Sequence, residues 1–328
     1  MRNGIFSYLS QMQSDSMKIL ITGANGNLGQ QLVQRLCGEG NGIASGSPGV
    51  RALVRSERAA QTIRDLNCPN PPDITVGDYT DPASMREAAS DCQGVVHLVG
   101  IIKETSTTSY TQAHEDTCQT LVQALEGTSV QRVVYLSILG SNSESSNACL
   151  ASKGRAETLL ANGPCPATTL RVPMVIGPDD YASASLRKEA QSRFVGLVGG
   201  GRTLQQPIDS QNVIDAILAS LQTEHSEDRQ FDLGGPESLT HRELIQRAAR
   251  LYDCNPRALP IPLSLARFFV GVLEGIGKNP PITRAMFDIL QHDDQIDPTP
   301  CCSELGISLT PLDETLGSYV GPESQRHD

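Results

Sequence analysis

The sequence predicts an α/β fold, a doubly wound parallel sheet followed by a smaller, mostly helical C-terminal lobe. Two observations carry this. Apolar runs of strand length alternate with longer amphipathic stretches through the first half of the 328 residues, the pattern of parallel strands covered on both faces. A glycine triplet, Gly23, Gly26 and Gly29, follows the first apolar run and opens the first helical pattern. Together they make the fold Rossmann-type.

Taken in order, the apolar runs place strands at 18–22, 50–54, 73–76, 94–99, 132–137 and 168–172. Helical spacing falls between them, at 28–36, 57–66, 82–90, 111–126 and 150–162. The connection 37–48 is long and rich in glycine and serine, and reads as a surface loop. Past Gly177 the pattern changes. Residues 181–203 mix helix with the glycine turn LVGGGRT, 212–221 read as a further helix and 230–233 as a short strand. Helical patterns broken by prolines fill the remainder. The expected division is a disordered extension at 1–16, a nucleotide-binding domain at 17–235 with 181–210 contributing to a substrate lobe, and a substrate or partner lobe at 236–328. Met17 is an alternative start.

Composition narrows the function. Hydrophobic residues are 38%, charged residues 19%, and the formal charge is −11. An acidic chain with no basic run has no footprint for nucleic acid. The nine cysteines are odd in number and form no CxxC or Cys/His cluster, which argues against both a disulfide framework and a zinc site. No apolar run approaches the ~20 residues of a membrane span. Reduced thiols in a cytoplasmic protein are the expectation.

The glycines have separate mechanical uses. The first permits a tight turn, the second lets backbone approach a diphosphate, and the third lets the helix pack close to the strand. Free N–H groups of the helix N-terminus then face the phosphates. Strand 50–54 ends in Val54-Arg55-Ser56 with no carboxylate. An acidic residue there would mark NAD. A guanidinium instead favours a 2′-phosphate, so NADP(H) is preferred and NAD(H) is the alternative. Asp78, after the third strand, is placed to accept from an adenine amino group, or else serves its own turn.

The stretches TGANGNLG, RALVR, GDYTD, VVHLVGI, VVYLSILGS, SKGRAE, LRVPMVIGPDD, QQPIDSQNVIDAI and FDLGGPESLTHREL occur in this order between 17 and 320. In them the chain resembles the extended and atypical branch of the short-chain dehydrogenase/reductase superfamily. HLVGIIKE, GGGRTLQQP, PIPLSLARF, PITRAMFDIL and LGISLTPLDETL narrow the likeness to bacterial relatives of the NAD(P)H-binding accessory subunit of respiratory complex I. The resemblance implies a tightly held NADP(H) on Gly23, Asn25, Gly26, Asn27, Leu28, Gly29, Arg55, Asp78, Leu98, Val99 and Gly100, with Ser56 beside Arg55 and Lys153 on the nicotinamide ribose. It implies catalytic positions at Ser137, Cys149 and Lys153, for reduction or epimerisation of a small carbonyl or hydroxyl compound. The superfamily's proton donor is a Tyr four residues before the Lys. Here that position is Cys149, and none of the seven tyrosines has a Lys four residues on. A thiol is shorter than a phenol and a weak donor. Lys153 could make it a thiolate, or it could be an inert buried side chain.

The missing Tyr keeps a second role open, a non-catalytic NADP(H) module acting as redox sensor or as assembly partner of a complex. Asn212 stands where an Asp usually starts the following helix, and is expected to cap it weakly. His97 and His114 read as structural. Asp180 and Tyr181 follow the sixth strand and are spare candidates for a proton donor. Leu265, Phe268, Phe269, Val272, Leu273 and Ile276 recur at helical spacing. This stripe either packs on its own lobe or forms a surface for a protein partner or hydrophobic ligand.

Overall fold

The computed structural model describes residues 17–38, 49–222, 225–276 and 280–322. The expected extension 1–16 and most of the expected loop 37–48 lie outside the described residues. The chain begins with β1 (Lys18–Thr22), α1 (Asn27–Cys37), β2 (Gly49–Val54), α2 (Glu57–Arg64), β3 (Asp73–Val76), α3 (Pro82–Ala89) and β4 (Gly94–His97). A π-helix (Thr111–Asp116) runs into α4 (Thr117–Leu125), then β5 (Arg132–Ile138), α5 (Ala148–Ala161) and β6 (Ala167–Val172) follow. Beyond these come β7 (Val175–Ile176), α6 (Tyr181–Ala190), β8 (Phe194–Val198), β9 (Leu204–Gln205), β10 (Ile208–Asp209), α7 (Ser210–Gln222) and β11 (Arg229–Asp232). The chain closes with β12 (Leu239–Thr240), α8 (His241–Arg250), β13 (Arg257–Ile261), α9 (Leu263–Ile276), α10 (Arg284–Leu290), α11 (Thr299–Leu305) and α12 (Leu312–Tyr319).

Seven parallel strands form one sheet in the order β11-β6-β5-β4-β1-β2-β3. Alternation along β1 shows why both faces are covered. Ile19 and Ile21 enter one core with Leu32 and Val33 of α1 and Ile214 and Ile217 of α7. Leu20 enters the other with Met85 of α3, Leu121 of α4 and Leu160 of α5. A strand apolar on both faces stays buried only in such a sandwich.

A third core joins β7, α6 and β8 to α8 and α12 through Ile176, Leu186, Leu197, Leu244 and Leu316. The proposed division at 235 is crossed in the other direction too, because Cys301 and Leu305 of α11 pack into the sheet's first core. The helix expected at 212–221 starts earlier, at Ser210. Asn212 therefore does not cap it. Its Nδ2 donates to Ser308 O (3.2 Å) and its Oδ1 accepts from Thr310 N (2.7 Å), pinning the C-terminal segment to α7. The first-turn bond comes from Asp209, whose Oδ1 accepts from Gln211 N at 2.8 Å.

Candidate functional site

The site is built at the carboxyl ends of β1, β2, β4 and β5, where open α/β sheets leave a crevice. Gly23 leaves β1 at φ +73°, a conformation that glycine adopts without a Cβ clash. A Cβ there would lie 3.1 Å from Leu98 C and Val99 N, so the turn presses against the end of β4. Gly26 N-caps α1, its N–H donating to Gly23 O at 2.9 Å. No side chain caps this helix and its first turn carries no acid. Orphan N–H groups at a helix start attract an anion, so the loop fits a diphosphate. Gly29 is buried, and a Cβ on it would meet Gly23 O at 2.6 Å and Ala24 O at 2.7 Å. Asn25 is exposed and Leu28 half-buried. Asn27 closes the loop's outer side, its Nδ2 donating to Pro178 O at 2.7 Å while its Oδ1 accepts from Gln31 at 2.7 Å.

Arg55 stands exposed at the end of β2, its guanidinium 5.7 Å from the centre of the Tyr79 ring. Ser56 caps α2, Oγ accepting from Ala59 N at 3.2 Å, which leaves its O–H proton for a ligand. Asp78 is exposed and serves its own turn, Oδ1 accepting from Thr80 N (2.9 Å) and Thr80 Oγ1 (2.8 Å). Leu98 and Val99 leave the strand, since β4 ends at His97 rather than at 99. Gly100 lies directly over Lys153, where a Cβ would be 3.0 Å from Nζ.

Lys153 is 5% exposed. Its ammonium donates to Leu136 O at 2.9 Å and lies 4.5 Å from the centre of the Tyr135 ring. Burial pulls its pKa down to about 8. Two neutral histidines stand nearby. His97 bridges Thr22 Oγ1 (2.7 Å) and Thr117 Oγ1 (3.3 Å) and stacks on Tyr135. His114, carried on the π-helix, sets Nε2 3.1 Å from both N and O of Ile101. Burial, with Lys153 adding to it, brings each of their pKa values down to about 3.

The remaining two catalytic candidates make contacts within the chain. Ser137 is buried and donates to Glu157 Oε1 at 2.5 Å, with Ser141 Oγ 3.2 Å away. Glu157 in turn holds the Arg171 guanidinium at 2.5 and 3.1 Å. Cys149 is fully buried at the start of α5, its Sγ 3.7 Å from Ile101 O. Burial outweighs the Lys153 charge and pushes its pKa up to about 11. Of the two states left open for Cys149, burial favours the inert, neutral thiol. At pH 8 about one molecule in a thousand carries the thiolate that alkylating agents need. Iodoacetamide at that pH is expected to label exposed Cys254 and spare Cys149 in the folded chain. Peptide mass mapping checks this, and equal labelling of both would overturn it.

Among the spare donors, Asp180 is consumed as the cap of α6, accepting from Ser183 N (2.8 Å) and Gly177 N (2.6 Å). Tyr181 is 79% exposed. The apolar stripe does not pack on its own lobe. In α9 only Ala266 and Val270 are buried, against Phe287, Val198, Ile261 and Ile282. Phe268 (64%), Phe269 (55%) and Ile276 (82%) stand in the open. Among the described residues no helix is long and apolar enough to cross a membrane, and no group of His, Cys, Asp and Glu could hold a metal ion.

Sequence reasoning missed Tyr79, Tyr135, Glu157 and Arg171. One signal was available, since Glu157 is four residues past Lys153 and eight past Cys149, on one helix face.

A parallel sheet with a glycine cradle and a buried lysine bonded to β5 defines an atypical short-chain dehydrogenase/reductase fold. The chain belongs to the NAD(P)H-binding family, whose profile matches residues 23–224. It is 28% identical over 253 residues to the mitochondrial NADH dehydrogenase (ubiquinone) 1 alpha subcomplex subunit 9 of Arabidopsis thaliana, covering 75% of this chain and 61% of that protein. The match thus spans less than two thirds of that relative's length. It is 24% identical to a ceramide reductase of Caulobacter vibrioides, covering 74% of this chain and 73% of that one. Among solved structures, triphenylmethane reductase of Citrobacter sp. complexed with NADP(H) shares the fold, with a TM-score of 0.69 and 22% identity over 91% of this chain and 99% of that one.

Proposed function

We propose that this protein is an NADP(H)-holding module that docks on a protein complex and does not turn over a substrate by the usual acid. The observation that carries this is the state of the proton donors. Cys149 is a buried neutral thiol and the proton of Ser137 is given to Glu157. The bound dinucleotide would supply a hydride, but general acid catalysis also needs a donor within reach of the reacting oxygen. The residues that would hold it are Gly23, Asn25, Gly26, Asn27, Leu28 and Gly29 at the diphosphate, Arg55 and Ser56 at the 2′-phosphate, Asp78 at the adenine, and Leu98, Val99, Gly100 and Lys153 toward the nicotinamide. Arg55 has no carboxylate rival in its strand end, which favours NADP(H) over NAD(H).

The docking surface in this reading is α9. Its charged residues are spent within the chain, Arg267 on Asp288 (3.2 Å) and Glu274 on Arg284 (3.5 Å), leaving an apolar face. Exposed patches of this kind mark interaction sites. The segment that follows α9 also touches the crevice wall, with Asn147 Nδ2 donating to Ala285 O of α10 at 2.8 Å and Lys103 Nζ to Pro280 O at 2.9 Å. A relative that is a respiratory-complex subunit supports this role.

A second reading is reduction or epimerisation of a small carbonyl or hydroxyl compound, with Lys153 as the acid. Its lowered pKa near 8 favours that reading. One experiment separates them. The purified chain is titrated with NADPH and then followed at 340 nm against a carbonyl panel. The module binds NADPH without oxidising it, and the Phe268→Asp/Phe269→Asp variant binds equally but elutes free of the large complex in native extract. Turnover that Lys153→Met loses even at saturating NADPH would establish the reductase instead.

A further inference from the structure

We propose that Tyr79 is the residue through which this chain selects between the two nicotinamide dinucleotides: its ring holds Arg55 in place, and its hydroxyl ties the glycine loop to the end of β2. This rests on the proposed NADP(H) reading and names the device that sets the preference.

Tyr79 is 4% exposed, yet it follows an exposed turn and touches both halves of the nucleotide cradle. Its Oη accepts from Gly23 N at 3.1 Å and donates to Leu53 O at 3.0 Å. The phenol therefore bridges the first residue of the glycine turn and Leu53 of the strand that leads into Arg55, 56 and 26 residues away along the chain. Burial keeps it protonated, as the bridge requires. The other contact is to Arg55 itself, whose guanidinium lies 5.7 Å from the ring centre.

An exposed arginine gives up rotamer freedom when it holds a phosphate. A ring beneath the guanidinium removes part of that freedom before the ligand arrives, which is preorganisation. A cation–π contact at an exposed site is worth about 0.5–1 kcal/mol, a factor of about 2–5 in affinity. Only a ligand with a 2′-phosphate collects it. The hydroxyl bridge acts differently. It shapes the loop that both dinucleotides share, so its loss weakens both alike. Tyr79 is thus a positioning residue, and its two functions separate in the ratio of affinities.

The test uses the full chain and titrates NADPH and NADH by nicotinamide fluorescence. Tyr79→Phe keeps the ring and loses the bridge, so both affinities fall and their ratio holds. Tyr79→Leu loses the ring as well, so the NADPH-to-NADH ratio falls by a further factor of about 2–5. Tyr79→Leu on an Arg55→Ala background leaves the ratio of that background unchanged. A merely structural residue would not move the ratio. Equal ratios in the Leu and wild-type chains would overturn the proposal while the NADP(H) reading stands, and so would a ratio that falls in the Phe variant. If the Leu variant does not fold, Tyr79→Met takes its place, filling the site without a ring, and the same fall in the ratio is required. A wild-type chain that binds neither dinucleotide sinks the underlying reading, and this proposal with it.

Discussion

Gly29→Ala is expected to abolish dinucleotide binding and to destabilise the chain by about 1–3 kcal/mol, the range of overpacking in a tight site. The added Cβ would sit 2.6 Å from Gly23 O and 2.7 and 2.8 Å from Ala24 O and C. All three are backbone atoms of the turn, and none can swing aside as a side chain would. The helix must back away from β1, and the N–H groups of its first turn move with it. Alanine's better helix propensity returns only ~1 kcal/mol. Gly26 offers a contrast, because its Cβ would meet only Gly23 O, at 3.2 Å. Gly127→Ala is the control for backbone strain alone. It has φ +72° and nothing within 4 Å of a Cβ, so it should lower the thermal midpoint and leave binding intact. Thermal melts with NADPH titration of the three variants check the ranking. A Gly29→Ala chain that binds NADPH like wild type would remove the diphosphate reading of the loop.

The sheet was legible because its strands are solidly apolar and their neighbours are not. β1 and β3 fall where the sequence places them, and the other main strands differ by a residue or two at their ends. Leu98 and Val99 read as strand since they continue an apolar run, but the chain must bend there to meet Gly23. The glycine loop was legible for the same local reason, as its spacing states its geometry. Side-chain direction was not. Nothing near Tyr79 announces that its hydroxyl reaches residues 56 and 26 positions away. Ser137 lies at the end of an expected strand, yet whether it faces a substrate or Glu157 depends on how α5 is rotated against β5. The stripe of α9 was visible as a period, but exposure is decided by what covers a helix, and among the described residues α10, Ile282 and the β8–β13 ribbon pack on the opposite side, at Ala266 and Val270. Asn212 failed as a cap because the helix gains a first turn from Asp209, a choice made by tertiary contacts rather than by propensity.

Lys153→Met should stabilise the free protein below pH 8 while costing it nucleotide. A buried ammonium with one carbonyl acceptor and one aromatic face is incompletely solvated. Its pKa near 8 against an ordinary 10.5 measures that cost, about 3 kcal/mol at 1.36 kcal/mol per unit. The sign follows from proton counts. Below pH 8 both folded and unfolded chains hold the proton, and the folded state bears the full penalty. Between 8 and 10.5 the unfolded chain still holds a proton that the folded chain has released, so this contribution to stability rises with pH. Above 10.5 the penalty is gone. The buried cysteines act oppositely. Cys118 and Cys149 have folded pKa values raised to about 12 and 11, so their contribution is present below pH 9 and is lost as pH climbs through those values. Lys153 also lowers both thiol pKa values, so the difference between wild type and Lys153→Met isolates the amine only up to about pH 9, before the thiols titrate. Urea melts from pH 7 to about 9 should show the variant ahead by about 1–3 kcal/mol at pH 7, with the gap closing as pH rises. The same variant should bind NADPH at least about tenfold more weakly, having lost a charged donor worth ~1.5–3 kcal/mol. A constant gap across that pH range would mean that Lys153 is not held charged against its burial, and unchanged NADPH affinity would take it out of the nucleotide site. A buried charge kept at the expense of stability is what a functional site is expected to retain, and the two measurements together decide whether this lysine is one.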